Sequence, residues 1–150
     1  MNIIELTVDE VIGFNRKAIE KQRHKDPNCQ EQHRVIRKND LEGAIRSVFY
    51  QSQNGYLNLP IEKMAGLLLH KIAQRQAFEN GNKRTAVIAV FAFLKNHGLQ
   101  LRLKVDEAMS LINGFAIQPG ATQPEKTEED AIQYIFDNVM PSFKTSLGHK

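Results

Sequence analysis

A polar turn with two adjacent cations is the part of this sequence best suited to chemistry. It reads QRQAFENGNKRTA over residues 74 to 86, and the cations are Lys83 and Arg84. Nine apolar residues follow at positions 86 to 94, and they predict a helix that begins near Asn82. The start of a helix presents unpaired N–H groups and the positive end of the helix dipole, so the turn is a predicted site for an anion such as phosphate.

Each residue of this turn has a property that suits phosphate binding. Gly81 lets the backbone approach a ligand closely, Asn82 offers a side-chain donor, and Lys83 and Arg84 supply fixed positive charge. Cations in the first turn of a helix oppose its dipole, and an anionic ligand would offset that cost. The alternative is that Gly81 is only a turn residue and that both cations are solvated. A P-loop is excluded because the earlier glycine is absent and no strand precedes the turn.

The segment QAFENGNKRTA, residues 76 to 86, resembles the signature of the Fic/Doc family, H-x-F-x-[D/E]-[G/A]-N-[G/K]-R. Its NKRTA ending is similar to the Doc (death-on-curing) branch. The resemblance extends to LTVDEVIGFNRKAIE, RKNDLEGAIRSVFYQ and FLKNHGLQL, and so covers nearly the whole chain. It implies a mostly helical fold and the transfer of AMP or phosphate from a nucleoside triphosphate to a hydroxyl group of a target protein.

The resemblance also implies a role for each matching residue. In the family scheme the histidine takes the hydroxyl proton, the following acid binds Mg²⁺, and the loop and helix start hold the phosphates. In this chain Phe78 would anchor the loop in the core. The residues implied to line the anion site or contact phosphate oxygens are Gly81, Asn82, Lys83 and Arg84.

Two positions depart from the family signature. Gln76 stands where the family has its histidine, and Asn80 stands where it has the metal-binding acid. Glutamine does not titrate near neutral pH, so a rate contribution of roughly 10² to 10⁴ from general base catalysis is expected to be lost. Asn80 offers Mg²⁺ only a neutral oxygen, and the adjacent Glu79 is an alternative ligand. The sequence therefore predicts a catalytically impaired member.

No other histidine is a clear replacement in the sequence. His97 lies about 22 Å beyond Asn82 along the same predicted helix, which excludes it. His70 is predicted to face solvent, because it falls opposite the apolar face of its helix. His24, His33 and His149 lie in segments whose positions the sequence does not fix.

Two functions compete on these observations. The first is a Doc-like transferase, the toxin of a toxin–antitoxin pair, that uses ATP or another nucleoside triphosphate with Mg²⁺ and works weakly. The alternative is a module of the same fold that binds nucleotide, phosphate or a partner protein without transfer. The chain lacks the [S/T]-x-x-x-E-[G/N] pattern of a built-in inhibitory helix, so regulation is expected to come from a separate antitoxin.

Composition narrows the class of protein. The chain has 150 residues, a formal charge of +3 spread along its length and one cysteine, Cys29. We therefore expect one domain over residues 1 to 150, with a frayed tail, in a reducing compartment. The charge is too small to indicate nucleic-acid binding. Neither a leader nor a membrane-spanning stretch is evident, which predicts a cytoplasmic protein.

Helical periodicity predicts the elements that position the turn. Thr7 and Glu10 form a capping box for a helix over residues 8 to 21, and Asp40 is predicted to cap the next helix. Pro60 opens a third, and residues 86 to 94 form a central helix that Gly98 ends at C′. Two more helices follow, over residues 106 to 115 and after a Thr127 cap. The predicted fold is an all-α orthogonal bundle of about six helices around a buried central helix.

Overall fold

Six helices and a small sheet make up the part of the chain that the computed structural model describes, residues 2–53, 59–102 and 104–142. The predicted all-α bundle is confirmed. The helices and strands are α1 Val8–Lys25, α2 Lys38–Gln53, α3 Ile61–Arg75, α4 Asn82–Lys95, β1 Leu99–Leu101, α5 Val105–Asn113, α6 Glu128–Asn138 and β2 Val139–Pro141.

The core is built around α3 and α4. Helix α3 packs against α2, α4 and α6, and its Met64, Leu68 and Ile72 are almost completely buried. Helix α4 packs against α3 and α1. The apolar run of α4 was predicted to be buried on all sides, but Val87 and Ile88 are only half-buried. They line an open cavity between α4, α1 and α5.

Close contact between α3 and α6 depends on a glycine. A Cβ atom at Gly66 would lie 2.5 Å from the Cα of Ile132. The two helix backbones therefore meet at a separation that any larger residue would prevent. This contact fixes α3, whose C-terminal end leads into the loop before α4.

Most helix starts follow the predictions. The capping boxes of Thr7 with Glu10 and of Thr127 with Asp130 are both present. Helix α1 runs to Lys25 rather than residue 21 and so includes His24. The prediction that Asp40 caps α2 is wrong. The helix already begins at Lys38, because the Arg37 carbonyl accepts a hydrogen bond from the Leu41 N–H one turn on.

A short antiparallel sheet follows α4 in the chain and packs against it. Leu99 pairs with Pro141 and Leu101 with Val139. The short segment LQLRLKV, residues 99 to 105, alternates between apolar and polar residues as a strand does and contains β1, whereas no sequence pattern predicted β2. Gly98 was predicted to be the C′ residue of α4. It has a φ of 74° but lies one residue further on, at C″, because α4 ends at Lys95 with Asn96 as its C-cap.

The dipeptide Asn54-Gly55 is a sequence signal for a turn, but it lies outside the described residues. The predicted frayed tail, from residue 143 onward, also lies outside them. Within the described part of the chain, no helix has both the length and the apolar character needed to cross a bilayer.

Candidate functional site

The loop between α3 and α4 is held in an unusual backbone conformation at both ends. Gln76, the C-cap of α3, has φ 48° and ψ 51°, and among the described residues it is the only non-glycine with a positive φ. Gly81, the N-cap of α4, has a φ of 78°, which glycine adopts without strain. A left-handed conformation at a glutamine costs on the order of 1 kcal/mol and is the kind of strain found at functional sites.

A segment just before α2 lies along this loop. Val35 and Phe78 form an antiparallel β-bridge, and the Glu79 N–H donates to the Arg34 carbonyl at 3.0 Å. Arg37 Nη1 donates to the Gln76 carbonyl at 2.7 Å. Residues 31 to 37 therefore form one wall of the site, although the sequence did not predict their position.

Phe78 and Asn82 close the loop on itself. Phe78 is 2% exposed and lies in the main hydrophobic core. The side chain of Asn82 accepts a hydrogen bond from the Phe78 N–H at 3.0 Å and donates to the Phe78 carbonyl at 2.8 Å. The amide that was predicted to face a phosphate is thus used to hold the loop in shape.

The start of α4 is uncapped, and its two cations have partners from other parts of the chain. Gly81 provides no side-chain cap for the first N–H groups of the helix. Lys83 Nζ donates to Asn113 Oδ1 at the end of α5. Arg84 Nη2 donates to Glu31 Oε1. The backbone N–H groups and the two cations therefore lie in one place, but both cations are engaged by other parts of the chain.

An open cavity of about 310 Å³ adjoins the start of α4. Four cations from α1 and α4 contribute to its lining: Lys21, Lys25, Lys83 and Arg84. Its remaining surface is mainly apolar and includes Val87, Ile88 and Met109. An apolar cavity with several charged groups is suited to a ligand that combines a flat organic group with phosphates.

The residues at the predicted metal position do not fit a Mg²⁺ site built by the protein. Asn80 carries no charge, and its Nδ2 donates to the Gln32 carbonyl at 3.4 Å. No group of three or more His, Cys, Asp or Glu residues is placed to hold a metal ion in the part of the chain that the structure describes. Mg²⁺ prefers carboxylate oxygen, so we derive no catalytic step through a metal.

His33, which the sequence could not place, lies beside the loop. Its Nδ1 is 2.7 Å from Oδ1 of Asn15, a fully buried residue of α1. Nδ2 of Asn15 in turn donates to the Asn80 carbonyl at 2.9 Å and to Thr85 Oγ1 at 3.0 Å. His33 is therefore two hydrogen bonds from the first turn of α4. Burial, followed by the charge of Arg16, lowers the pKa of His33, while the charge of Glu20 opposes this shift.

The remaining histidines that the structure describes are not at the loop. The prediction that His70 faces solvent is wrong, because it is only 9% exposed and packs edge-on against Phe115 at a ring-centroid distance of 4.8 Å. His97 lies at the far end of α4, where Nε2 accepts from the Ile4 N–H at 3.0 Å. Its Nδ1 therefore carries the proton that it donates to the Phe93 carbonyl.

Comparison with known proteins gives one result that bears on identity. Residues 5–94 match the model of the Fic/DOC family. This match includes α1, α2, α3, the loop and nearly all of α4, whereas α5, which also contributes to the candidate site, lies outside it. No curated protein matches the chain. With the family model matching more than half of the sequence, the chain belongs to the Fic/DOC family.

Proposed function

We propose that this chain is a Doc-like transferase of low activity. It binds ATP or another nucleoside triphosphate at the start of α4 and transfers AMP or phosphate to a hydroxyl group of a target protein. One observation carries the proposal: the uncapped start of α4, with Lys83 and Arg84, adjoins a cavity of a size and lining that suit a nucleotide. Backbone N–H groups and cations together bind phosphate through charge-assisted hydrogen bonds.

Low activity follows from the two neutral amides in the loop. Gln76 and Asn80 occupy the positions of the family's proton acceptor and metal ligand, as the resemblance implies. The amides are close in size to the residues they replace, so they preserve the loop while removing basicity and charge. In this proposal any Mg²⁺ enters with the nucleotide, since Asn80 offers it no charged ligand.

We further propose that the protein acts as the toxin of a cytoplasmic toxin–antitoxin pair. Family membership supports a toxin-like transferase in general terms. The missing inhibitory pattern favours control by a separate antitoxin chain over control by a helix of this chain.

A calorimetric titration with ATP and Mg²⁺ tests the phosphate site. The double variant Lys83→Ala, Arg84→Ala is expected to bind ATP about ten- to a hundredfold more weakly, because two charge-assisted contacts are lost. Lys95→Ala with Arg102→Ala is the matched control. It removes the same charge from the last residue of α4, which lies about 20 Å along the helix from Asn82, and from the residue after β1. Equal weakening by both double variants would contradict a local site.

The alternative function is a binding module without transfer, and the neutral side chains of Gln76 and Asn80 favour it. The same titration followed by labelling distinguishes the two functions. A transferase transfers radioactivity from labelled ATP to a protein in cell extract, whereas a module binds ATP and labels nothing. The double variant Gln76→His, Asn80→Asp serves as the positive control for the presence of a target.

A further inference from the structure

A histidine from another part of the chain lies beside the loop in which Gln76 replaces the family histidine. We propose that His33 accepts the proton of the target hydroxyl through its Nε2 atom. This inference rests on the proposed function, because it names the group that would make residual transfer possible.

The buried amide of Asn15 fixes the tautomer of His33. The carbonyl oxygen of Asn80 can only accept a hydrogen bond, so the atom of Asn15 that faces it at 2.9 Å must be the amide nitrogen. The other amide atom, Oδ1, then faces His33 Nδ1 at 2.7 Å and can only accept. In the neutral ring the proton is therefore on Nδ1, and Nε2 carries the lone pair.

Asn15 has no freedom to turn over. It is 0% exposed, and its nitrogen also donates to Thr85 Oγ1 at 3.0 Å. A flipped amide would place an oxygen against the Asn80 carbonyl and lose a buried hydrogen bond, at a cost of about 1–3 kcal/mol. The orientation of His33 is thus set by a rigid group, as a proton acceptor requires.

His33 shares its side of the wall with the carboxylate that reaches the phosphate site. Side chains two residues apart in an extended segment point to the same face, and Glu31 and His33 are separated in this way. Glu31 contacts Arg84 on α4, while His33 contacts Asn15 on α1. His33 is therefore in contact with α1 and is linked through Asn15 to Thr85 of α4, and these are two of the helices that line the cavity. Its Nε2 makes no hydrogen bond to any residue within 2–53, 59–102 and 104–142.

The ionisation of the ring agrees with this role. Burial lowers the pKa of His33 from 6.5, the charge of Arg16 lowers it further, and the charge of Glu20 raises it. Arg84, the nearby cation on α4, is paired with Glu31. The ring is consequently neutral at pH 7 and ready to take a proton.

The hydroxyl oxygen of the target attacks a phosphorus atom of the nucleoside triphosphate while its proton moves to His33 Nε2. One P–O bond forms and one breaks. Pyrophosphate leaves if AMP is transferred, and a nucleoside diphosphate leaves if phosphate is transferred. His33 then releases the proton to water, and no oxidant or reductant is needed.

The variant His33→Asn provides a sharp test. The asparagine Nδ2 can occupy the position of the imidazole Nδ1 and donate to Asn15 Oδ1, so the hydrogen bond is kept while the Nε2 acceptor is removed. We expect ATP binding and thermal unfolding to match those of the unmodified chain. Labelling from α- or γ-labelled ATP in cell extract should fall about 10²- to 10⁴-fold. His33→Gln is measured in parallel. It also lacks the imidazole, so it tests the proposal if His33→Asn fails to fold.

Two further measurements separate a proton acceptor from a structural residue. Labelling by the unmodified chain should decline on the acid side, below pH 6.5, as Nε2 becomes protonated. In a Gln76→His background, His33→Asn should change labelling little, because the new histidine supplies the base. Histidine ¹⁵N shifts of the unliganded protein should show a protonated Nδ1 and an unprotonated Nε2.

Several results would overturn the inference. They are unchanged labelling by His33→Asn, a protonated Nε2 in the neutral ring, or labelling by Gln76→His alone when the unmodified chain binds ATP and labels nothing. This last result would leave the proposed nucleotide site in place. Failure of both chains to bind ATP or to label would instead overturn the proposed function, and the inference with it.

Discussion

Arg84 and Glu31 form an ion pair across the candidate site, with Nη2 and Oε1 2.5 Å apart. Their side chains are 36% and 34% exposed, so water reaches both. Arg84 thus has an anionic partner from its own chain at the place where a phosphate is proposed to bind. An anionic ligand that uses Arg84 must either displace Glu31 or share the guanidinium with it.

Removing this carboxylate should therefore strengthen nucleotide binding. We expect Glu31→Gln to raise the affinity for ATP about three- to tenfold, because a partly exposed ion pair is worth roughly 1 kcal/mol. Glu129→Gln, an exposed acid on α6, removes the same charge away from the site and serves as the control. Calorimetry measures both. An unchanged affinity in Glu31→Gln would indicate that Arg84 does not contact the ligand.

The loop is able to accept the residues that the family signature contains. Histidine adopts the left-handed conformation of Gln76 more readily than most residues. Asn80 is held through its carbonyl by Asn15, and among the described residues its side chain hydrogen-bonds only the Gln32 carbonyl, at 3.4 Å. We therefore expect Gln76→His with Asn80→Asp to fold normally and to increase labelling from ATP at least about a hundredfold.

The matched control for this double variant is Gln76→Asn with Asn80→Asp. Asparagine also tolerates the left-handed region but cannot act as a base near neutral pH. Labelling should rise much more in the pair that contains Gln76→His, because only that pair has an imidazole at position 76, while both pairs keep His33 and the new carboxylate. An increase of equal size in both pairs would assign the effect to the new carboxylate instead.

Local sequence signals predicted the elements that hold the loop. The capping box of Thr7 with Glu10 and the start of α4 at Asn82 depend on residues close together in the chain. The long-range wall formed by residues 31 to 37 has no such signal, because it lies in an extended segment whose bonds are to the loop. The position of His33 beside the loop could therefore not be predicted from the sequence.

One clue to this part of the site was present in the sequence. Asn15 lies on the same face of α1 as Val11, Ala18 and Ile19, all of which are buried. An amide within an apolar stripe needs polar partners, so its position indicated that the loop or another polar segment packs there. The prediction for His70 was wrong because it took only one face of its helix to be buried. The periodicity of α3 predicts one buried face, whereas α2, α4 and α6 all pack on this helix.

Packing between α3 and α6 gives a prediction about stability. Gly66→Ala should lower the free energy of unfolding by about 1–3 kcal/mol, because its Cβ would lie 2.5 Å from Ile132 Cα and force the helices apart. Gly43→Ala on α2 is the control, since a Cβ there meets nothing within 4 Å. It should raise stability by about 0.5–1 kcal/mol through helix propensity alone. Urea unfolding compares them, and equal effects would contradict the close contact.

The burial of His70 predicts how stability changes with pH. Burial lowers the pKa of His70 from 6.5, and although Glu128 opposes the shift, Lys71 and Arg75 add to it. His70 Nδ1 is 3.7 Å from Glu128 Oε2, which is too far for a hydrogen bond. Nδ1 has no hydrogen-bond partner among the described residues. The folded protein therefore holds this ring neutral at a pH where the unfolded chain already binds a proton.

The sign of the effect follows from this difference in proton binding. The contribution of neutral His70 is complete above pH 6.5 and is lost as the pH falls from there through the lowered pKa, because the unfolded state takes up the extra proton first. Urea unfolding between about pH 7.5 and pH 5 should show a steeper loss of stability for the unmodified chain than for His70→Gln. His24→Gln, in the exposed last turn of α1, should follow the unmodified chain. If His70→Gln loses stability as steeply as the unmodified chain, the ring is not held neutral in the fold.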